Sequence, residues 1–300
     1  MSNATDTPIQ SVSASTSFPE GFRIVHKRRF MAEGNTKYML PSDDEELNRL
    51  DYQHYVIRHL IYGNFKAPLD SELEKGIRVI DVGCGSGIWV MEMAVDYPRS
   101  TFVGVDCAAV FPTKDIPPNC TFIRGNTLEG LPFKDESFDF VFQRLMILAF
   151  TPSDWRFATR ELARITAPDG FVELIEGDFF VQSAPAAYAP LYNAIVGTAA
   201  SRGIDLSVLH DLPSVLSDAG LVDVKADYVS SPLGWHGRVG DICNKSMKNL
   251  FVALKPSIRP VISKTDEEYD VMAEQIIDEM KEKKSWSKIP CAIGRKPRMG

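Results

Sequence analysis

The chain has 300 residues, 44% of them hydrophobic, with a formal net charge of −7 and five cysteines. That is enough apolar material for one sizeable core, or for one domain with an elaborated lobe. The acidic balance argues against a nucleic-acid partner bound through phosphate neutralisation, and no apolar run approaches the roughly 18 residues of a membrane span. Lys27-Arg28-Arg29 and the basic stretch from Lys281 to Arg298 read as solvated surface. Cys84, Cys107, Cys120, Cys243 and Cys291 show neither metal-ligand spacing nor a disulfide framework. With no signal-peptide core at the N-terminus, the expectation is a metal-free protein of a reducing compartment, cytoplasmic with the nucleus as the alternative.

Residues 1–20 are rich in Ser and Thr, poor in large apolar side chains, and read as a disordered tail ahead of a single domain, 21–300. Ser42-x-x-Glu45 reads as a capping box, and Leu47, Leu50, His54, Ile57 and Ile61 at helical spacing predict a helix that stops at Gly63. Residues 21–75 thus make an N-terminal lid segment. Strands are predicted from Val79, at Thr101 to Asp106, Cys120 to Arg124, Phe138 to Gln143, Phe171 to Leu174, Leu221 to Val229 and Pro290 to Lys296. Helices are predicted at 87–97, 153–166, 187–201, 210–219, 240–254 and 265–284. This alternation describes a doubly wound α/β sheet, with a core over 76–230 and a helical insertion before the last strand within 231–300.

The informative segment is Val79 to Ala94, where a strand ends in Asp81, turns through Gly83, Gly85 and Gly87, and enters an apolar helix. Glycine at such a turn supplies positive φ and lets backbone approach a ligand. A dinucleotide fingerprint beginning at Gly83 needs glycine at 88, and this chain has Ile88. The turn is therefore wrong for a pyrophosphate, which weighs against an NAD(P)-dependent oxidoreductase. It suits a cofactor that presents an amino acid and a ribose, S-adenosylmethionine (SAM). Asp106, at the end of the next strand, is placed to accept the ribose hydroxyls.

These segments, with Asn126-Thr127, Phe142-Gln143-Arg144, Glu161 to Ile165, Pro168-Asp169-Gly170 and Phe171 to Leu174, resemble the class I SAM-dependent methyltransferases over residues 77–230. The resemblance implies a Rossmann-like seven-stranded sheet whose last strand is antiparallel, an N-terminal helical lid and a helical insertion. A narrower resemblance, to fungal methyltransferases related to the global regulator of secondary metabolism, rests on Tyr38 to Ser42, Leu50 to His54, Gly87-Ile88-Trp89 and Gly294 to Pro297. That group's His-x-Tyr before the last strand is absent around Trp286.

The resemblance implies a cofactor site of Asp81, Gly83, Cys84, Gly85, Gly87, Asp106, Cys107, Asn126, Thr127, Gln143 and Arg144. Asp81 would bind the ammonium directly or through water, Asn126 and Thr127 would face adenine, and Gln143 would flank the methionine. The cofactor arrives activated, so orienting the acceptor can suffice. For proton removal His54 is the leading candidate, ahead of His210 and His236, and Tyr38 reads equally as a base or as an aromatic anchor. Arg144 could instead meet an acidic acceptor. Trp155, Trp235 and Tyr188 read as packing before pocket wall, and Glu173, Glu176 and Asp178 as a solvated edge before a group that recognises a cation or serves as a base. The expected function is methyl transfer to an oxygen, nitrogen or sulfur of a small molecule in fungal secondary metabolism. The alternative is a regulator of the same fold that acts through protein partners or protein methylation.

Overall fold

The computed structural model describes residues 21–298; the expected tail, 1–20, lies outside them. The chain opens with an antiparallel hairpin, β1 (Phe22–Val25) and β2 (Arg28–Met31), which the sequence pattern did not reveal. The hairpin sets the start of α1 (Asp44–Ile61). Arg28 grips Asp43 through two hydrogen bonds of 2.7 and 2.8 Å, and the same carboxylate accepts the Glu46 N–H, 3.1 Å away, to cap the helix. The cap is therefore Asp43 and not Ser42, because Arg28 orders the later residue; Glu45 turns to Arg28 as well. Asp43 sits at the positive end of the helix dipole, which favours its charge.

The main sheet follows through α2 (Asp70–Lys75), β3 (Arg78–Val82), α3 (Ile88–Asp96), β4 (Thr101–Asp106), β5 (Cys120–Arg124), β6 (Phe138–Arg144), α4 (Pro152–Ile165) and β7 (Thr166–Ile175). It is completed by β8 (Val181–Gln182), α5 (Tyr188–Ser201), α6 (Leu212–Asp218), β9 (Val222–Pro232), α7 (Arg238–Ile258), α8 (Asp266–Glu282) and β10 (Trp286–Arg295). Strand order is β5-β4-β3-β6-β7-β10-β9, parallel from β5 through β7, with β10 antiparallel to β7 and to β9. The two-residue β8 also pairs with β10, at Trp286 and Ser287, so the sheet has eight strands where seven were expected. The last strand starts at Trp286, ahead of the expected Pro290, because β9 runs on to Pro232 and pairs with it there.

Alternation along the strands divides the core. Phe140 and Phe142 face α3, and Trp89 stacks on Phe142 with centroids 4.1 Å apart. Ile80, Val82, Val141 and Val172 face Trp155 and Leu162 of α4 and Leu216 of α6. A cross-link between lid and sheet comes from Glu173. Its fully buried carboxylate accepts the Lys66 N–H (2.9 and 3.0 Å) and the Ala67 N–H (2.8 Å), which pins the chain between α1 and α2. Glu173 is not the solvated edge residue the sequence suggested: its strand is covered on both sides, and the loop folds over it. Among the described residues no helix is long and apolar enough to cross a membrane.

Burial pushes the Glu173 carboxyl up to about 7, since desolvation outweighs its hydrogen bonds. A carboxyl raised in the folded state stabilises fully below its ordinary value of 4.5, and that contribution is lost as pH rises toward 7. Glu173→Gln should lower stability by about 1–3 kcal/mol, because its amide nitrogen would face a backbone donor that a carboxyl oxygen now accepts, and should flatten the pH dependence between 4.5 and 7. Urea unfolding across that range checks it; an equally steep profile in the variant would refute the assignment.

Candidate functional site

A cavity of about 1670 Å³, counting the solvent at its mouth, opens at the carboxyl ends of β3, β4, β6 and β7. This is where an open α/β sheet leaves a crevice, because the connections on either side diverge. Its floor is the turn after β3. Gly83 and Gly85 sit at φ 82 and 53, and a Cβ on Gly83 would stand 2.7 Å from the Met146 sulfur. On Gly85 it would stand 3.3 Å from Leu50 of α1, so lid and loop close over a turn that has room for backbone only. Gly87 also has positive φ, but it lies under the Phe122 ring and starts α3 without lining the cavity.

Asp106 faces the same space from the end of β4. Its two oxygens accept the Gly85 N–H at 2.9 Å and the Ala108 N–H at 2.8 Å, and burial raises its pKa. Asp81 lies beneath the turn, 1% exposed and one layer behind the cavity lining, with Oδ1 lacking any partner; burial lifts its pKa to about 7 against the pull of Arg144. The Arg144 guanidinium lines the cavity among the charges of Asp81, Glu92 and Asp51, and desolvation lowers its pKa. An orphaned carboxylate oxygen, a side-chain-free turn and a second strand-end acid fit a cofactor with an ammonium and a ribose. Cys84 and Cys107 also line the cavity, with both thiols pushed up by burial, Cys107 to about 12, so they pack and do not attack.

Other expected members lie elsewhere. Asn126 caps its own turn, its oxygen accepting the Leu128 N–H (3.1 Å) and its amide donating to Glu129 (2.8 Å), and neither it nor the buried Thr127 lines the cavity. Gln143 is fully buried on the α4 face, sharing strand parity with Val141, so alternation turns it away from the cavity. His54 is fully buried and off the cavity wall. Its Nε2 lies 2.9 Å from a Glu92 oxygen of α3, and Asn64 donates to that same oxygen from 3.2 Å. Burial and the nearby Arg144 push the His54 pKa down to about 4. A neutral, weakly basic ring that joins α1 to α3 is a brace, which corrects its expected role as base.

Tyr38 does line the cavity, and burial beside Glu46 raises its pKa, so at neutral pH it offers a hydroxyl donor and not a base. Next to it lies a group that sequence reasoning missed. Arg49 donates to both Glu46 oxygens at 2.7 to 2.9 Å and to the Gln53 carbonyl oxygen at 2.8 Å. The spacing 46, 49, 50, 53 on the face of Leu50 was the available signal. Beyond this polar strip the cavity turns apolar, walled by Val56, Ile57, Phe179, Leu233, Met247 and Leu250, with Ser231, Ser246 and Ser287 between them. Glu176 and Asp178 border that lobe; Glu176 is fully buried and was wrongly expected at a solvated edge. Trp155 packs on Phe150, Trp235 donates to the Ser285 carbonyl at 2.6 Å, and the Tyr188 hydroxyl donates to the Phe179 carbonyl at 2.7 Å; none lines the cavity. His210 lies in a shallow outer groove and His236 also lies off the cavity.

The brace is testable by spectroscopy. The His54 ring should stay neutral, with carbon-bound proton shifts that do not move between pH 8 and about pH 5. His54→Ala should lower the melting temperature while cofactor affinity holds within about twofold, since about 1–3 kcal/mol of unfavourable burial falls on Glu92 and not on the cavity.

Residues 79–170 match the methyltransferase domain family. The chain is 35% identical over 149 residues to the secondary metabolism regulator laeA of Coprinopsis cinerea, covering 48% of this chain and 36% of that protein. It is 28% identical over 223 residues to the N-methyltransferase sirN of Leptosphaeria maculans, 72% of this chain and 78% of the relative. It is 31% identical over 144 residues to methyltransferase str2 of Strobilurus tenacellus, 48% and 50%. The matches thus span about a third of the laeA protein and half of str2. In fold it is similar to a putative methyltransferase from an antibiotic biosynthesis pathway of Anabaena variabilis, with TM-score 0.51, 15% identity, and 86% and 99% of the chains covered. Phosphoethanolamine N-methyltransferase 2 of Haemonchus contortus, solved with SAM, gives TM-score 0.50, 16% identity, and 84% and 52% coverage. Residues 79–170 thus match a methyltransferase domain, in a strand order and around a glycine turn similar to those of the class I, SAM-dependent methyltransferases.

Proposed function

We propose that the protein transfers a methyl group from SAM to a nucleophilic oxygen, nitrogen or sulfur of a small, largely apolar molecule in fungal secondary metabolism. The observation that carries this reading is continuity: the space over Gly83, Gly85 and Asp106 runs without a wall into the apolar lobe between α1, α7 and β10. Its lining runs from the glycine turn to Met247 and Leu250 of α7, which would set cofactor and acceptor side by side. The names of sirN and str2 support a pathway enzyme.

The cofactor supplies a methyl group already activated on a sulfonium. Asp106 holds the ribose, while Asp81 and the backbone of Gly83 to Gly85 hold the ammonium end. Arg144, a guanidinium among carboxylates with donors to spare, takes the carboxylate of the same amino acid. The apolar lobe orients the acceptor and excludes water, and Tyr38 donates a hydrogen bond at the junction of the two halves. A second reading, regulation through protein partners, is favoured by the identity to laeA. A deletion strain separates them: loss of one methylated metabolite supports the enzyme, whereas loss of many unrelated metabolites supports the regulator.

Calorimetric titration should show binding of S-adenosylhomocysteine and none of NADH. Asp106→Ala should weaken that binding by about 1–3 kcal/mol, the cost of stranding buried hydroxyls; a change of a few tenths would move the ribose elsewhere. Gly85→Val should abolish it, since φ 53 and the contact with Leu50 leave a branched side chain no place. Ser246→Phe should fill the acceptor lobe, leaving S-adenosylhomocysteine affinity within about twofold while a strain carrying only this variant accumulates the unmethylated precursor.

A further inference from the structure

Glu176 follows β7, and its carboxylate is fully buried. Its partners are two backbone N–H groups, Met146 to Oε1 at 2.9 Å and Ile147 to Oε2 at 3.0 Å. No cation among the described residues offsets it, and burial pushes its pKa up to about 8. The nearest basic side chain along β10, Lys288, holds its ammonium over the Tyr228 ring, 4.6 Å from the centroid, and lies within reach of Asp178. Burial keeps such a carboxyl neutral when nothing is bound; Glu173 is sealed by its loop, but Glu176 borders the cavity, where an arriving cation would draw off the proton and meet the carboxylate.

The placement says what arrives. Met146, whose N–H binds Glu176, lays its sulfur against Gly83, so one loop separates the carboxylate from the floor of the cofactor turn. Residues of both line the same cavity. We propose that Glu176 is the counter-charge for the cofactor's sulfonium, and that through it this site holds SAM more tightly than S-adenosylhomocysteine. The two ligands share every other group, so a carboxylate on the wall of the cavity they would enter is a feature that can tell them apart. The inference rests on the cofactor reading above. Its consequence is directional: the moment the methyl leaves, the site loses the cation that justified the buried charge, and the product is loosened.

The experiment needs no acceptor. Dissociation constants of the intact protein are measured for SAM, S-adenosylhomocysteine and sinefungin, which carries an ammonium where SAM has its methylsulfonium. The parent protein should prefer both cationic ligands over S-adenosylhomocysteine by about tenfold or more. In Glu176→Gln that preference should fall to about twofold or less while S-adenosylhomocysteine affinity stays within about threefold. Glu176→Asp should retain the preference, because it keeps the charge. A merely structural role predicts equal losses for all three ligands and a ratio that does not move. A parent protein that binds all three alike overturns the proposal without any variant, and a preference that survives Glu176→Gln overturns it too. Failure of every ligand to bind would instead remove the cofactor reading and leave Glu176 a lone loop pin.

Discussion

The structure turns on one carboxylate, Asp106. By accepting the Gly85 N–H with one oxygen and the Ala108 N–H with the other, it ties the end of β4 to the middle of the turn after β3. The Gly83 and Cys84 N–H groups donate to the Val105 carbonyl at 2.7 and 3.0 Å and fix the start of that turn, but not its middle. The Asp106 bridge holds it open, and α1 can then close Leu50 against Gly85 to complete a chamber. Lid, floor and second strand all refer to that bridge.

Around it the site shows a separation of polar tasks. Charges that face the cavity from α1 are matched in advance, Glu46 with Arg49, and so add shape without strong demand for a ligand. Charges at the strand ends are left incomplete: an oxygen of Asp81 has no partner, and Glu176 has backbone donors but no cation. Buried polar groups are normally satisfied; what sets these two apart from unpaired atoms such as those of Gln143 and Trp155 is their place, beneath the cofactor turn and on the cavity wall. His54 is divided: its Nε2 meets Glu92, while its buried Nδ1 has no partner among the described residues.

Much of the architecture was legible because its signals are local. Glycine spacing, strand-end acids and helical periodicity at 47, 50, 57 and 61 depend on neighbours a few residues away. The floor of the site, Gly83, Gly85 and Asp106, was legible for the same reason. What was not legible depends on distant partners. Asp43 replaced Ser42 as the cap because of Arg28, fifteen residues earlier in the chain. Gln143 and Arg144 are adjacent in sequence, yet alternation sends one toward α4 and the other toward the cavity, and only the sheet's two coverings decide which face matters. Glu173 reads as an edge residue until the loop at Lys66 and Ala67 folds onto it.

The helical pair α7 and α8 leaves the sheet after β9 and returns at β10, and the two points of departure and return, Pro232 and Trp286, are partners in the ladder. An excursion with its ends fastened side by side can lengthen, shorten or change composition at little cost to the register of the strands, because closing a larger loop adds only slowly to the entropy lost. Met247 and Leu250, which face the apolar lobe, ride on this excursion, whereas Gly85 and Asp106 do not. The fold therefore separates a wall carried on an excursion from a hearth carried on the strand ends, and the first can be rewritten without disturbing the second.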